Sequence, residues 1–483
     1  MENALQRSPI ISKLTCGVCY NVGGEDGDRL SNLPEPIIHH IFSFLETIDV
    51  VRASAVSRKW RYLWLSIPYL NFNVHNICSN PLERWSLQTT NEKFKDFVNW
   101  VLLFQNGSVS IHRFRLSCLN RVDDYTFYRW IAPIKLPRSL VTCESLVSLK
   151  LDFGNREHQG VLNLPTCVGF SRLKSLDLQH VEVLDYNLFR EFLSSCPLLE
   201  NLYTKECFFH NFESLDISTT SLKYLTVDEF LLSEPKGLRS CKILDISSNS
   251  LKSLTLERIE FGGDELDNYK LKIACSNLES FNIFAPLLPD FTLESLNSLQ
   301  NAFIFLETIG EYMEAKEICH RMSKILNGLR DVKVLKLSCT LYQFLNAILE
   351  QRSYFSASFN NLKSLILCVT TAEWTVPLII RLLNHSPNLE VLTIYFDSDE
   401  YYDDWEIPDK VILCLTCHLK TVELIDFSGN ENELELVRFL LKNGHVLQKL
   451  RIISAIMKFT ISSSSVALKF LEPKPFLDFF NRF

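Results

Sequence analysis

Apolar residues recur along this chain in a six-residue pattern, L-x-x-L-x-L. It reads LVSLKL from Leu146, LKSLDL from Leu173, LLENLYT from Leu198, LKYLTV from Leu222, LKSLTL from Leu251 and LESFNI from Leu278. It continues as VKVLKL from Val332, LKSLIL from Leu362, LEVLTI from Leu389, LKTVEL from Leu419 and LQKLRI from Leu447, and IHRFRL from Ile111 is an early form. The steps 146 to 173, 251 to 278 and 362 to 389 are each 27 residues, 173 to 199 is 26 and 419 to 447 is 28. The gap from 278 to 332 is 54, twice 27, which places a degenerate copy around Leu299 to Ile304. Two extra short copies, at Phe212 and Cys241, break the spacing. Self-similarity at a fixed period signals stacked units, each unable to bury its own core.

Period-two alternation inside each copy predicts a strand whose leucines point inward and whose intervening residues point outward. LFREFLSSCPLLENL (188–202) and IIRLLNHSPNLEVL (379–392) each show a helical apolar stripe, a Ser/Asn/Pro break and the next strand. The expected fold is therefore α/β: a solenoid with parallel strands on the concave face and helices or turns on the convex face. The outward positions Lys150, Asp177, Tyr203, Thr226, Thr255, Asn282, Lys336 and Glu423 are candidate contacts for a bound protein.

A different pattern precedes the repeats. Leu33-Pro34 starts a helix, since proline suits a first turn. Apolar residues at Ile37, Ile38, Ile41, Phe42 and Leu45 then form one stripe at helical spacing. Thr47 and Asp49 are candidate caps for a second helix carrying Val50, Val51, Ala53, Ala55 and Val56. Ser57 can cap a third, with Trp60, Leu63 and Trp64 on one face and Arg58, Lys59 and Arg61 elsewhere. Three short helices cannot bury all these faces among themselves, so the surplus packs on the rest of the chain or on another protein.

Asp28 to Trp64, DRLSNLPEPIIHHIFSFLETIDVVRASAVSRKWRYLW, resembles an F-box, the module that docks onto the Skp adaptor of a cullin-based ubiquitin ligase. The resemblance implies that Leu33, Pro34, Ile37, Ile41, Leu45 and Val50 face the adaptor, while Trp60 and Trp64 hold the helices together. Pro36 and Glu46 depart from the usual residues. The repeats resemble plant-type leucine-rich repeats, although the usual asparagine after the strand is mostly absent; Cys207 and Val181 occupy that position in two copies. Residues 359–454, with FNNLKSLIL, VPLIIRLLNHSPNLEVLTIYF and HLKTVELIDFSGNENELELVRFLLKNGHVLQKLRI, resemble the FBD domain of plant F-box proteins. Glu431 to Leu441 is a helix candidate there, with Leu434, Val437, Leu440 and Leu441 on one side and Gly444 placed to end it.

The expected order is thus a leader (1–27), the F-box (28–70), a linking segment with an irregular first repeat (71–145), leucine-rich repeats (146–358), an FBD domain continuing the solenoid (359–454) and a tail (455–483). The resemblance implies a non-catalytic substrate receptor of an SCF-type ligase. Its partners would be the Skp adaptor, through it cullin, and an unknown protein target. The alternative is a leucine-rich-repeat scaffold with no ligase role.

The formal charge of 49 − 57 = −8 gives no electrostatic case for nucleic acid, and no Lys/Arg cluster suits an anionic membrane. No apolar run reaches a spanning length and the N-terminus lacks a signal-peptide core, which points to cytoplasm or nucleus. In that compartment the 15 cysteines read as small buried apolar residues. Cys414-Leu-Thr-Cys417-His418 matches a haem-attachment spacing, but it sits inside a repeat. Cys16-Gly-Val-Cys19 offers half a zinc site with no second pair nearby. The acidic, aromatic run Asp397 to Glu406 reads as a solvated loop. No phosphate-binding, nucleophile-elbow or zinc-protease motif occurs. No cofactor, metal or catalytic residue is expected.

Overall fold

The computed structural model describes residues 33–54, 60–74, 87–105, 110–117, 134–135, 140, 143–154, 160–163, 170–209, 214–216, 221–229, 243–259, 270–286, 290–307, 314–339, 342–351, 358–370, 375–397, 411–454 and 458–462. The expectations for Ala55 to Lys59, Cys16, Cys19, Phe212, Cys241, the leader and residues 398–406 lie outside them. The chain divides into two units, 1–212 with 219–222, and 213–218 with 223–483.

The first unit begins with α1 (Glu35–Phe42), α2 (Thr47–Ala53) and a 3-10 helix at Trp60–Ser66. Pro34 caps α1 and Pro36 lies in its first turn, where a missing N–H costs nothing. Thr47 does not cap α2. The N-cap position is Glu46, whose side chain makes no capping bond, while Thr47 is buried and its hydroxyl accepts the backbone N–H of Asn71 at 2.8 Å. Asp49 pairs instead with Arg52 at 2.9 Å. The Thr47 bond ties α2 to the first strand.

That strand is β1 (Tyr69–Asn73). There follow α3 (Leu87–Phe104), β2 (Arg113–Ser117), β3 (Ile134–Lys135), β4 (Ser148–Asp152), β5 (Gly160–Asn163), β6 (Ser175–Gln179), β7 (Val181–Val183), α4 (Tyr186–Ser194), β8 (Asn201–Lys205) and β9 (Phe208–Phe209). Strands β1-β2-β4-β6-β8 form one parallel sheet and β3-β5-β7-β9 a smaller one. Alternation is strict in β4 and β6, where Leu149, Leu151, Leu176 and Leu178 are each 1% exposed. Phe97 of α3 meets Phe72 of β1 edge-on at 5.9 Å, and Trp100 stacks on Trp64 at 5.1 Å.

The second unit contains β10 (Ser214–Asp216), β11 (Tyr224–Asp228), β12 (Ile243–Ser247), β13 (Ser253–Glu257), β14 (Lys270–Ala274), β15 (Ser280–Pro286), β16 (Asp290–Glu294) and β17 (Asn301–Glu307). Helices then alternate with strands: α5 (Ala315–Gly328), β18 (Val334–Cys339), α6 (Tyr342–Glu350), β19 (Ser364–Thr370), α7 (Thr375–Asn384), β20 (Val391–Asp397), α8 (Leu413–Cys417), β21 (Thr421–Phe427), α9 (Glu431–Asn443), β22 (Lys449–Ser454) and β23 (Lys458–Ser462). The main sheet runs β11-β13-β15-β17-β18-β19-β20-β21-β22-β23, parallel until the antiparallel β23.

The degenerate copy sits where the doubled spacing put it: β17 pairs with β15 on one side and β18 on the other. The segments beside Phe212 and Cys241 are not further copies of the main strand. They become β10 and β12, which pair with β14 and β16 in a second sheet. The expected helix or turn is thus replaced by a strand in these repeats. Their sequences show why: Leu244 and Ile246, then Leu271 and Ile273, alternate with period two and are buried, so no helical stripe exists.

Helix α9 also differs from expectation. Its buried side carries Leu436, Phe439 and Leu440, while Leu434 and Leu441 are exposed. Gly444 does end the helix, but at φ −83, so it needs no left-handed freedom. A Cβ there would lie 2.6 Å from the carbonyl oxygen of Leu440, and space is what selects glycine.

At the start of α9, Asn430 accepts the N–H of Glu433 at 2.9 Å. The Glu433 carboxylate accepts backbone N–H groups from Ser428 at 2.9 Å and Gly429 at 2.6 Å, and the Ser428 hydroxyl. Reciprocal capping satisfies donors that a helix start leaves orphaned. Gly429, at φ 84, makes the turn. Burial holds the Glu433 carboxyl above its ordinary range against these bonds. Glu433→Ala is expected to lose about 1–3 kcal/mol in chemical denaturation, by leaving buried donors unpaired. Glu433→Gln, which keeps an acceptor without a buried charge, should lose clearly less. Equal losses would mean that volume, not capping, matters.

Among the described residues, no helix is long and apolar enough to cross a membrane.

Candidate functional site

The apolar stripe of α1 splits between two destinations. Ile38 and Phe42 are buried, and Phe42 meets Trp60 edge-on at 5.4 Å. Ile37, Ile41 and Leu45 are 47%, 37% and 38% exposed. Pro34 is exposed beside them and Leu33 is half-buried. Ile37 and Ile41 are four apart and therefore share one side of the helix. Phe44, 75% exposed, adds an aromatic ring just past the helix end. Sequence reasoning passed it over, although it stands three residues after Ile41.

Val50 does not join this face. It is 2% exposed on α2, which packs against β1 and the 3-10 helix. Burying Val50, Val51 and Ile48 is what holds α2 in place, so Val50 supports the face from within and the outward reading is corrected.

The outer face of the repeats is a second surface. In the first unit, strand register aligns Asn71, Arg115, Lys150, Asp177 and Tyr203. In the second it aligns Thr226, Thr255, Asn282, Phe303, Lys336, Ile366, Thr393, Glu423 and Arg451. The eight expected contact residues all fall on these two rows, opposite the buried leucines. Several are already engaged. Lys150 Nζ lies 2.6 Å from Asp177 Oδ2, Asn282 donates to the Thr255 hydroxyl at 3.2 Å, and Glu423 receives Arg451 at 3.0 Å.

Lys336 departs from the expectation of an outward, solvated position. It is 6% exposed, with its Nζ 4.4 Å from the centroid of the Phe303 ring. Burial pulls its pKa down to about 8, against a smaller opposing effect of Cys368, itself pushed up to about 12 by burial. The neighbouring row, two residues on, aligns Phe284, Phe305, Ser338, Cys368, Tyr395 and Ile425. Phe284 and Phe305 lie 4.3 Å apart between ring centroids. The middle of this face therefore mixes Phe284, Phe303, Phe305, Ile366 and Tyr395 with Asn282, Lys336, Ser338 and Thr393, where the alternation rule left only "outward".

One residue before the strands, another row passes through Lys252, Glu279, Gln300, Lys333, Lys363, Glu390 and Lys420. Each backbone N–H reaches the carbonyl of the preceding member. The rim carries ion pairs of Lys252 with Glu279 at 3.1 Å and of Glu390 with Lys363 at 2.7 Å and Lys420 at 3.2 Å. The two flanking cations hold the Glu390 carboxyl below its ordinary range.

The cysteines follow the packing. Cys207, Cys275 and Cys414 are buried, with Sγ 3.4 Å from the carbonyl oxygens of Leu178, Ile246 and Leu383 of neighbouring repeats. Burial pushes the Cys414 thiol up to about 12, while Cys417, at the other end of α8, is exposed. The two thiols thus occupy unlike environments. Among the described residues, no group of three His, Cys, Asp or Glu side chains is placed to hold a metal ion.

Comparison with known proteins assigns names to these parts. A model of the F-box domain matches residues 30–71, and the FBD model matches 406–452. The leucine-rich repeats of FBD-associated F-box protein At5g56370 match 112–238, and a general leucine-rich repeat matches 250–267. FBD-associated F-box protein At5g60610 of Arabidopsis thaliana is 30% identical over 443 residues, covering 87% of this chain and 98% of the relative. Putative FBD-associated F-box protein At5g56440 is 28% identical over 92% and 96% of the two chains, and F-box/FBD/LRR-repeat protein At5g56420 is 26% identical over 93% and 96%, both from the same plant. With an F-box, parallel-strand repeats and an FBD segment in this order, and a 30% identical relative matched along nearly its whole length, the chain belongs to the plant FBD-associated F-box proteins with leucine-rich repeats.

Proposed function

We propose that this chain is the substrate-recognition subunit of an SCF-type cullin ubiquitin ligase. The observation that carries the reading is the exposed apolar face of α1, formed by Ile37, Ile41 and Leu45 with Pro34 and Phe44, inside the segment that matches an F-box. Exposed apolar side chains gathered on one short helix are an interaction site. The partner is the Skp adaptor, which bridges to cullin. The repeats hold the target protein on the outer face of their parallel strands.

In this reading the chain supplies no catalytic group. It accelerates transfer by holding target lysines near the charged conjugating enzyme, which raises their effective concentration. The test is reconstitution. The purified chain is mixed with adaptor and cullin, and co-elution is compared with that of a variant lacking residues 28–64. Wild type is expected to co-elute and the deletion to lose adaptor and cullin together. A folded wild-type chain that binds no adaptor would leave a repeat scaffold with a structural N-terminal cap.

A further inference from the structure

The helical layer of the second unit ends at α9. Each helix from α5 to α9 packs beside the next, and among the described residues no helix follows α9. Place in that layer decides what a helix exposes. Helix α7 lies between α6 and α8, and all of its Val, Ile and Leu side chains are buried. Helix α9 has α8 before it in the layer and no described helix after it. Its Leu434 and Leu441 are 36% and 51% exposed, with the half-buried Val437 between them. Steps of three and four put these three residues on one side of the helix. Repeats are held by their neighbours, so a last repeat with an apolar outer side needs a cap.

The sheet layer already has its cap. Strand β23 pairs antiparallel with β22 and takes the place of a next strand. It also brings the chain back to the open end of the helical layer. Ser462, the last residue of β23, lies opposite Lys449, the first of β22, and the turn 444–448 joins Lys449 to the end of α9. Paired strands lie about 4.8 Å apart, so the chain leaves β23 close to the end of the helix that carries Leu441. The residues that follow, 463–483, read SSSVALKFLEPKPFLDFFNRF, with five phenylalanines among 483 − 462 = 21 residues. A segment this apolar gains by leaving water. Extended, it reaches about 70 Å, while the 13 residues of α9 span about 20 Å. The tether gives it an effective concentration on the order of millimolar at α9, which favours it over a second copy of the chain in dilute solution.

We propose that residues 463–483 pack on the outer side of α9, over Leu434, Val437 and Leu441, and so close the helical layer as β23 closes the sheet. The segment stands where the helix of a further repeat would stand. It keeps the last repeat from presenting an apolar side to other molecules. Nothing in this depends on the ligase reading.

The experiment places a photo-crosslinking benzoylphenylalanine at Leu441 in the purified full chain, with the same residue at the exposed rim position Lys363 as control. Isotope-labelled and unlabelled chains are mixed before irradiation, and mass spectrometry locates the crosslinks. Position 441 is expected to crosslink to peptides from 463–483 of its own chain, and position 363 not to. Chymotrypsin cleavage at the phenylalanines of 463–483 is then followed in wild type and in Leu434→Ser/Leu441→Ser. Both leucines are exposed, so their replacement leaves the core in place. Without a cap the two chains should be cut at the same rate; with one, the variant should be cut about tenfold faster or more, because cleavage follows the population of the open form. If the variant proves unstable in a thermal melt, the crosslinks still decide. Absence of crosslinks to 463–483, crosslinks that join labelled to unlabelled chains, or equal cleavage rates in two folded chains would each overturn the proposal. The second of these outcomes would identify α9 as a contact between copies instead.

Discussion

Ile41→Asp is expected to abolish capture of the Skp adaptor while leaving the chain folded. Ile41 is 37% exposed on α1, beside Ile37 and Leu45. A carboxylate there stays hydrated in the free chain, so folding changes little. In a complex that covers this face, the charge would be stripped of water against apolar side chains, at several kcal/mol. Binding should therefore fall about a hundredfold or more, the range of a central interface residue. Leu45→Asp should act in the same way. Phe42→Ala gives the contrast: Phe42 is 2% exposed and packs on Trp60, so its truncation should cost about 3–5 kcal/mol of stability. Co-elution with adaptor, together with a thermal melt of each variant, reads both effects. Adaptor bound equally well by Ile41→Asp would remove α1 from the interface and with it the main support for the receptor reading.

Much of this architecture was legible because burial in a parallel sheet imposes a strict rule. Every second residue of a repeat strand meets the core, so Leu149, Leu176, Leu254, Leu365 and Leu392 declare themselves by spacing alone. The rule also places the eight outward positions in register on the face opposite the leucines, since units stacked at equal period share one register, although Lys336 is buried there. It does not say what lies beside an outward residue. Lys336 looks like any other solvated lysine in VKVLKL; its burial comes from Phe303 and Ile366, which are 33 and 30 residues away in sequence and adjacent only in the sheet.

The convex side was harder to read for a related reason. A helix of ten residues leaves a 3.6-residue stripe, as in α7, but the strands β10, β12, β14 and β16 are three to five residues long and mimic the main repeat strand. Both satisfy period two, and only pairing tells them apart. In the N-terminal helices, Ile37 and Ile38 belong to a single stripe by spacing, yet a stripe wide enough to touch two partners contains no mark of which edge meets which. Val50 shows the limit plainly. A valine on a short amphipathic helix reads alike whether it faces an adaptor or the neighbouring strand.

Leu392→Ala is expected to be the most damaging of the core changes in the second unit and also a local one. Leu392 is fully buried on β20, and its in-register neighbours Leu365 on β19 and Val422 on β21 are fully buried as well. Truncation removes apolar contact and leaves a void that close packing cannot refill, a loss of about 2–5 kcal/mol. Thr393→Ala, on the opposite side of the same strand, should change stability by less than about 0.5 kcal/mol. In a solenoid each repeat is held by its neighbours, so the loss should spread to β19 and β21 and fade beyond them. Amide hydrogen exchange followed along the chain measures this. Faster exchange confined to β19, β20 and β21 is the result expected. Equal acceleration from β11 to β22 would show instead that the second unit opens as one cooperative block, with its repeats coupled more tightly than nearest-neighbour stacking provides.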